Sequence, residues 1–305
     1  MVAKSTSQPI SVSEVRIIGS VNEDTCLSLR AHVRPGETVT AAGITRNLGG
    51  KGLNQAIAAR RAGVPTTLVA ALGDDDAGHT VRRFLTAEGV ETRLHRAQGS
   101  TGSAIVAVDS AGENAIIVVP GANGEIPEDF AARHAGDISP GDVVVLQLEL
   151  PLSVVWAAAT AARASGARVI LNAAPATQGV ETLLPAVDLL VVNSSELAAL
   201  ELGEPADAAR RVHQRFGTAV LVTLGGQGSL LANNHGVLTV PASPTDAVDT
   251  TGAGDTYVGY LAAALAAGSR WPEAMEHASV AASIAVSRHG ASAAVPYHHE
   301  LEEIR

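Results

Sequence analysis

The chain has one cysteine, Cys26, in 305 residues. A lone thiol excludes an intrachain disulfide and any zinc cluster built on cysteines, and it fits a reducing compartment. Aromatic residues are almost as scarce: three Phe, two Trp and three Tyr make up 3% of the chain, too few for a base-stacking platform. Positive charge is also short, with 21 Lys plus Arg against 31 Asp plus Glu and a net charge of −10. That balance argues against a general nucleic-acid binder or a partner of anionic membranes, but leaves room for a small phosphorylated ligand in a local pocket. No apolar run reaches the ~18 residues that span a bilayer. The start, "MVAKSTSQPISVSE", lacks the apolar centre of a secretory leader. The expectation is a cytoplasmic protein with neither nucleic acid nor membrane as partner.

Familiar signatures are missing too. The ten histidines show no metal-ligand spacing, and His298-His299 beside Glu300 reads as a solvated piece. No G-x-G-x-x-G follows the first apolar run, where "GSVNED" stands instead, which disfavours a dinucleotide oxidoreductase. No GK[ST] closes the late glycine-rich turn, which excludes a Walker P-loop.

The chain does contain short, nearly continuous apolar runs: "EVRIIGSV", "TTLVAALG", "DVVVLQLE", "RVILNAAP", "VDLLVVN" and "AVLVTLGG". Such runs suit strands buried on both faces. Between them lie helix-patterned segments such as "KGLNQAIAARRAG", "DAGHTVRRFLTAEG" and "PLSVVWAAATAARASG". The alternation predicts an α/β fold: a doubly wound, mainly parallel sheet flanked by helices. Two stretches break the rhythm. Residues 25–48, around "RPGET", and 100–119, around "DSAGE", alternate polar and apolar residues as antiparallel pieces with one wet face. They predict a small β lid outside an α/β domain made of residues 14–24, 49–99 and 120–305, with residues 1–13 as a loose tail.

Three sets of residues point to chemistry. In "DTTGAGDTYVGYLAAALAAG", Val258, Leu261, Ala262 and Leu265 follow helical spacing, so a helix starts near Asp255. The turn Gly252-Ala253-Gly254 then feeds free N–H groups towards an anion. The plainer alternative is that Asp255 only caps that helix. In "NLGGKGLNQAIAARRAG", Gly49, Gly50 and Gly52 allow close backbone approach, while Lys51 and Asn54 add donors suited to sugar hydroxyls. A structural glycine turn explains the same residues. Lastly, Asn22, Asp24, Glu149, Asn193 and Glu196 follow strand-like runs, where ligands of open α/β sheets bind, although each also reads as a cap or an exposed charge.

Taken in order, these segments resemble the PfkB carbohydrate kinase family, and within it the ribokinase branch. "GGKGLNQAIAARRAG" is similar to the family's N-terminal motif and "DTTGAGDTYVGY" to its C-terminal one, with "VVNSSE" and "VTLGGQG" between them. The resemblance implies a ribokinase-like fold and transfer of the ATP γ-phosphate to a sugar hydroxyl, ribose being favoured over another pentose such as deoxyribose or a nucleoside. A sugar sensor without catalysis is the rival of a different class. The resemblance further implies Asp255 as the base and Gly252, Ala253 and Gly254 as the anion hole. Asn22, Asp24, Gly49, Gly50, Lys51, Asn54 and Glu149 would hold the sugar. Asn193, Thr223, Gly225, Gly226, Gly228, Gly254 and Ser279 would line the ATP site, and Glu196 would organise Mg²⁺ through water. A K⁺ activator would sit at Asp249, Thr251, Ala285, Arg288, Gly290 and Ala294. Three positions depart from the family pattern: Leu53 for alanine, Ser279 for histidine and Ala294 for serine. Homodimerisation through the lid completes what the resemblance implies.

Overall fold

The computed structural model describes residues 13–303, so the loose tail expected over residues 1–13 falls outside the described residues except at Ser13. The apolar runs form β1 (Val15–Ile18), β4 (Thr66–Leu72), β8 (Val143–Gln147), β9 (Arg168–Asn172), β10 (Leu189–Asn193) and β11 (Ala219–Thr223). Both of their faces are dry. In β8, Val143 and Val145 enter one core while Val144 and Leu146 enter the other, and β4 and β10 alternate in the same way. Burying both faces is what makes these runs continuously apolar.

Among the described residues, nine strands make the main sheet, in the order β13-β12-β11-β10-β9-β8-β1-β4-β5. β5 (Glu91–Arg96) closes one edge in parallel, and β12 (Ser229–Asn233) and β13 (Gly236–Val240) close the other as an antiparallel hairpin. Helices cover both faces. α1 (Lys51–Arg61), α2 (Asp76–Ala87), α7 (Ala253–Ala266) and α8 (Trp271–Val286) supply one core; α3 (Glu128–Gly136), α4 (Leu152–Ala164), α5 (Ser194–Leu200) and α6 (Pro205–Phe216) supply the second. α9 (His298–Glu302) ends the described chain. None of these helices is long and apolar enough to cross a membrane.

The other sheet has the order β3-β2-β6-β7, with β2 (Asn22–Ser28), β3 (Gly43–Gly49), β6 (Gly102–Val108) and β7 (Asn114–Val119). Each hairpin is antiparallel as expected, but the two join through a parallel β2–β6 pair. The strands also reach further inward than the alternation suggests. β2 starts at Asn22, which pairs with Gly49 and Gly102, so Asn22 and Asp24 sit on the small sheet itself.

Strand order fixes where a ligand sits. From β1 the chain moves through the small sheet and α1 to β4 on one side, and later returns to β8 on the other. The crevice beyond the carboxyl ends of β1 and β8 is therefore the switch point at which open α/β sheets bind ligands.

Candidate active site

The two motifs meet at that crevice. Gly50 takes φ 90°, and a Cβ there would lie 2.8 Å from Val21 Cα, so only glycine lets the chain turn into α1 against the end of β1. The turn brings the Lys51 N–H to Glu149 Oε2 at 3.0 Å, and the same oxygen accepts from Ser20 Oγ. One turn into α1, Asn54 Nδ2 donates to Asp255 Oδ2 at 3.0 Å and Gln55 Nε2 donates to Asp255 Oδ1 at 2.9 Å.

Asp255 is therefore not the helix cap. α7 begins at Ala253 with Gly252 as its cap residue, at φ 73° and pressed against Ala291, where a Cβ would lie 2.9 Å from Cα. Asp255 is the third residue of the helix, 7% exposed, with its carboxylate turned to the α1 amides. First-turn N–H groups of a helix have no intrahelical acceptor, and the dipole adds positive potential there. A Cβ at Gly254 would meet nothing within 4 Å, so this end of α7 is open on that side. The carboxylate and the anion-attracting N–H groups share one turn of helix.

Acidic groups crowd around this centre. Burial first, then the charges of Glu149 and Asp255, push the Asp24 carboxyl up to about 6. Lys51 is the sole lysine among the described residues. Its ammonium is raised chiefly by Asp255, with Glu149 and Glu196 adding to the effect against its own burial. The cation thus binds its proton more firmly in this acidic setting. Asn22 is fixed as an acceptor by Asn123 Nδ2 at 2.8 Å. Asp24 Oδ1 and Asn54 Oδ1 are buried with no hydrogen-bond partner among the described residues. A buried acceptor left unpaired costs on the order of 1–3 kcal/mol, which a ligand hydroxyl would recover.

The nucleotide candidates lie along the next strand ends. Asn193 and Thr223 are paired at the ends of β10 and β11, and Gly225 to Gly228 form a tight turn leading into β12. Asn193 and Glu196 form a capping box on α5: Asn193 Oδ1 accepts from the Glu196 N–H, and Glu196 Oε2 from the Asn193 N–H, each at 2.8 Å. The cap reading of these two residues thus holds, and it fixes the carboxylate. Burial raises the Glu196 carboxyl, while the Asn193 N–H and Lys51 oppose the rise. Ser279 is spent on the backbone: it donates to Pro241 O at 3.2 Å and accepts from Ser243 N at 3.3 Å.

Part of the cation set converges. Asp249 accepts from the N–H groups of Thr251 and Gly290, each at 2.9 Å. Burial alone would raise this carboxyl, but those donors hold it below its ordinary value. The Ala285 carbonyl accepts from the Arg288 N–H at 3.1 Å, Ala294 is buried, and the Arg288 side chain turns away to Glu300. Thr251 and Gly290 are thus gathered around the Asp249 carboxylate, an oxygen ligand of the kind that hard cations accept. Among the described residues no cluster of three or more His, Cys, Asp or Glu side chains is arranged to hold a metal.

Three residues of the centre escape the sequence reading. Gln55, Gln147 and Asn172 form a buried amide chain behind Asp255. Gln55 and Gln147 stand inside quoted motifs, so polar residues within otherwise apolar, buried segments were the signal available.

A nine-stranded, mainly parallel sheet with a four-stranded satellite and a carboxylate at a glycine-capped helix start defines a ribokinase-like α/β phosphotransferase. The chain belongs to the pfkB family of carbohydrate kinases, whose model matches residues 13–297. It is 33% identical to the ribokinase of Haemophilus influenzae over 94% of this chain and 96% of that relative. The Arabidopsis thaliana ribokinase complexed with ribose and ATP superposes with a TM-score of 0.88 at 32% identity, covering 96% of this chain and 98% of that one. The deoxyribokinase of Salmonella typhi is 29% identical over 95% of this chain and 98% of that relative.

Proposed function

We propose that the chain is an ATP-dependent ribokinase, moving the γ-phosphate of ATP to the 5-hydroxyl of D-ribose. The observation that carries this reading is the Asp255 carboxylate, held by Asn54 and Gln55 from the sugar-type motif while it sits in the first turn of α7. Full-length similarity to ribokinases, one of them a complex with ribose and ATP, supports the choice of substrates.

In this mechanism Asn22, Asp24, Gly49, Gly50, Lys51, Asn54 and Glu149 bind the sugar, whose hydroxyls satisfy the unpaired Asp24 and Asn54 oxygens. Asp255 accepts the hydroxyl proton as the sugar oxygen bonds to the γ-phosphorus and the bond to the ADP oxygen breaks. The N–H groups around Gly252, Ala253 and Gly254 offset charge on the moving phosphoryl group, and positioning with such electrostatics accounts for most of the acceleration. ATP lies along Asn193, Thr223, Gly225, Gly226 and Gly228, beside Ser279. Magnesium, held by Glu196 through water, would neutralise phosphate charge. Potassium at the Asp249 carboxylate and the carbonyls of Thr251, Ala285, Arg288, Gly290 and Ala294 would add positive charge near the Gly252 turn.

Among the described residues, the small sheet leaves Ile44, Ile105, Ile116, Ile117, Val118 and Val119 exposed, with β3 and β7 as open edges. Such a surface suits a second copy of the chain, so the proposal includes a homodimer. Sedimentation at micromolar concentration is expected to give a dimer, and Ile117→Asp a monomer. The single half-buried thiol, Cys26, fits the cytoplasm.

Deoxyribose is the second reading, supported by the deoxyribokinase similarity. Coupled ADP release across ribose, deoxyribose, hexoses and nucleosides, with Mg²⁺ and with or without K⁺, separates the two. Highest kcat/KM on ribose supports the proposal; no ribose-dependent turnover rejects it.

A further inference from the structure

Gln55 and Gln147 are both fully buried in the wall behind the base. The Gln55 amide nitrogen donates one hydrogen to Asp255 Oδ1 at 2.9 Å and the other to Asn172 Oδ1 at 3.0 Å. The Gln55 amide oxygen accepts from Gln147 Nε2 at 2.7 Å, and Asn172 Nδ2 turns to Val191 O at 3.3 Å. All the polar atoms of the Gln55 side chain are thereby committed.

A primary amide has nearly the same shape after a half-turn, so its neighbours decide which end points where. Reversing Gln55 would set its oxygen against both Asp255 Oδ1 and Asn172 Oδ1, and its NH₂ against the NH₂ of Gln147. The Asp255 carboxylate and Asn172, whose own amide is oriented by Val191 O, therefore select one orientation, and Gln147, whose Oε1 is buried without a hydrogen-bond partner among the described residues, follows it. The three partners of Gln55 come from different elements: Gln147 ends β8, Asn172 ends β9, and Asp255 lies in the first turn of α7. The chain of amides ties the carboxylate on α7 to the central strands.

The choice of an amide has a chemical consequence. A guanidinium or ammonium in the same place would favour the ionised carboxylate strongly and so weaken it as a proton acceptor. A neutral N–H fixes direction without adding net charge. With Asn54 on one oxygen and Gln55 on the other, the plane of the Asp255 carboxylate is set, and each oxygen keeps a further lone pair.

We propose that Gln55, its amide direction set by Asn172 and its oxygen held by Gln147, is a positioning residue that aims a lone pair of Asp255 at the acceptor hydroxyl. This rests on the kinase reading above. It touches neither sugar nor nucleotide, so its loss acts on the chemical step rather than on binding.

The test is a double-mutant cycle in the full chain, using the sugar that the wild type turns over best. Gln55→Met is expected to lower kcat about tenfold or more, the effect of losing one hydrogen bond to a charged group, with both KM values within about threefold. In an Asp255→Asn background the same substitution is expected to change the residual rate less than about twofold, because no carboxylate remains to be aimed. Gln147→Met, which reaches Asp255 only through Gln55, is expected to give a smaller loss with the same dependence on Asp255. If Gln55→Met shows no cooperative thermal transition, Gln147→Met carries the cycle. A near-wild-type kcat, or an equal fold-loss in both backgrounds, overturns the proposal and leaves the kinase reading standing. A wild type that turns over no sugar overturns both.

Discussion

Gly259 on α7 lies against Ala58 on α1, so closely that a Cβ at Gly259 would overlap the Ala58 side chain and the Gln55 carbonyl. Each residue is one helical turn beyond a partner in the centre, Asp255 on α7 and Asn54 on α1. This contact sets the distance at which the α1 amides reach the carboxylate. Gly259→Ala is expected to cost about 1–3 kcal/mol of stability through overpacking. It should also lower kcat more than either KM, because α7 must move off α1. Ala58→Gly added to it should recover part of both losses. Thermal melts and steady-state kinetics on the three chains check this, and an unchanged Gly259→Ala would show that the helices have slack.

Asp24 should make sugar affinity depend on pH. Its carboxyl is pushed up to about 6, first by burial and then by Glu149 and Asp255, so it gains a proton in mildly acidic solution. Only the ionised form offers both oxygens as acceptors, so the sugar KM is expected to rise as pH falls from 7.5 through about 6. The stability sign follows from the same shift. The fold penalises ionised Asp24, and the penalty is absent below the ordinary carboxyl value near 4 and complete above about 6. Asp24→Asn should therefore raise the melting temperature at pH 7.5 and change it little at pH 4.5, while abolishing the acid rise in KM. A flat KM profile in the parent would contradict this.

Lys51 offers a direct electrostatic probe. The chain has only two lysines, Lys4 and Lys51, so Lys4→Arg leaves one. Reductive ¹³C-methylation then gives a single lysine signal from the centre. Its titration is expected above the ordinary lysine range, because Asp255 foremost and then Glu149 and Glu196 stabilise the cation. Asp255→Asn should move that titration down, and saturating sugar should shift the resonance. An unmoved titration in Asp255→Asn would mean that the two groups do not sense one another.

What could be read from the sequence follows from where each residue's information is local. β1, β4 and β8 were legible because strands buried on both faces must be apolar throughout. β5 was not: its "ETRLHR" puts charge on an exposed edge, and only its pairing with β4 makes it a strand. The two hairpins were legible from alternation around their turns, but the parallel β2–β6 pair joins segments about eighty positions apart that share no local signal. The centre divides likewise. Asp255, Asn54 and Lys51 lie in the first turns of helices whose glycine-marked starts show in the sequence. Gln55, Gln147 and Asn172 matter because they meet one another, with 92 positions separating the two glutamines. Gln55 sits on a helix face that reads as ordinary core until α7 is laid against it.

The most direct test of the account is the turnover of Asp255→Asn beside calorimetric binding of ribose and of an ATP analogue. The substitution keeps the size and one of the two accepting oxygens while removing the proton acceptor. A fall in kcat of roughly 10²–10⁴ is expected, the usual worth of a positioned base, with both ligands still bound within a few-fold of the parent. A variant that binds both and turns over near the parental rate would contradict it.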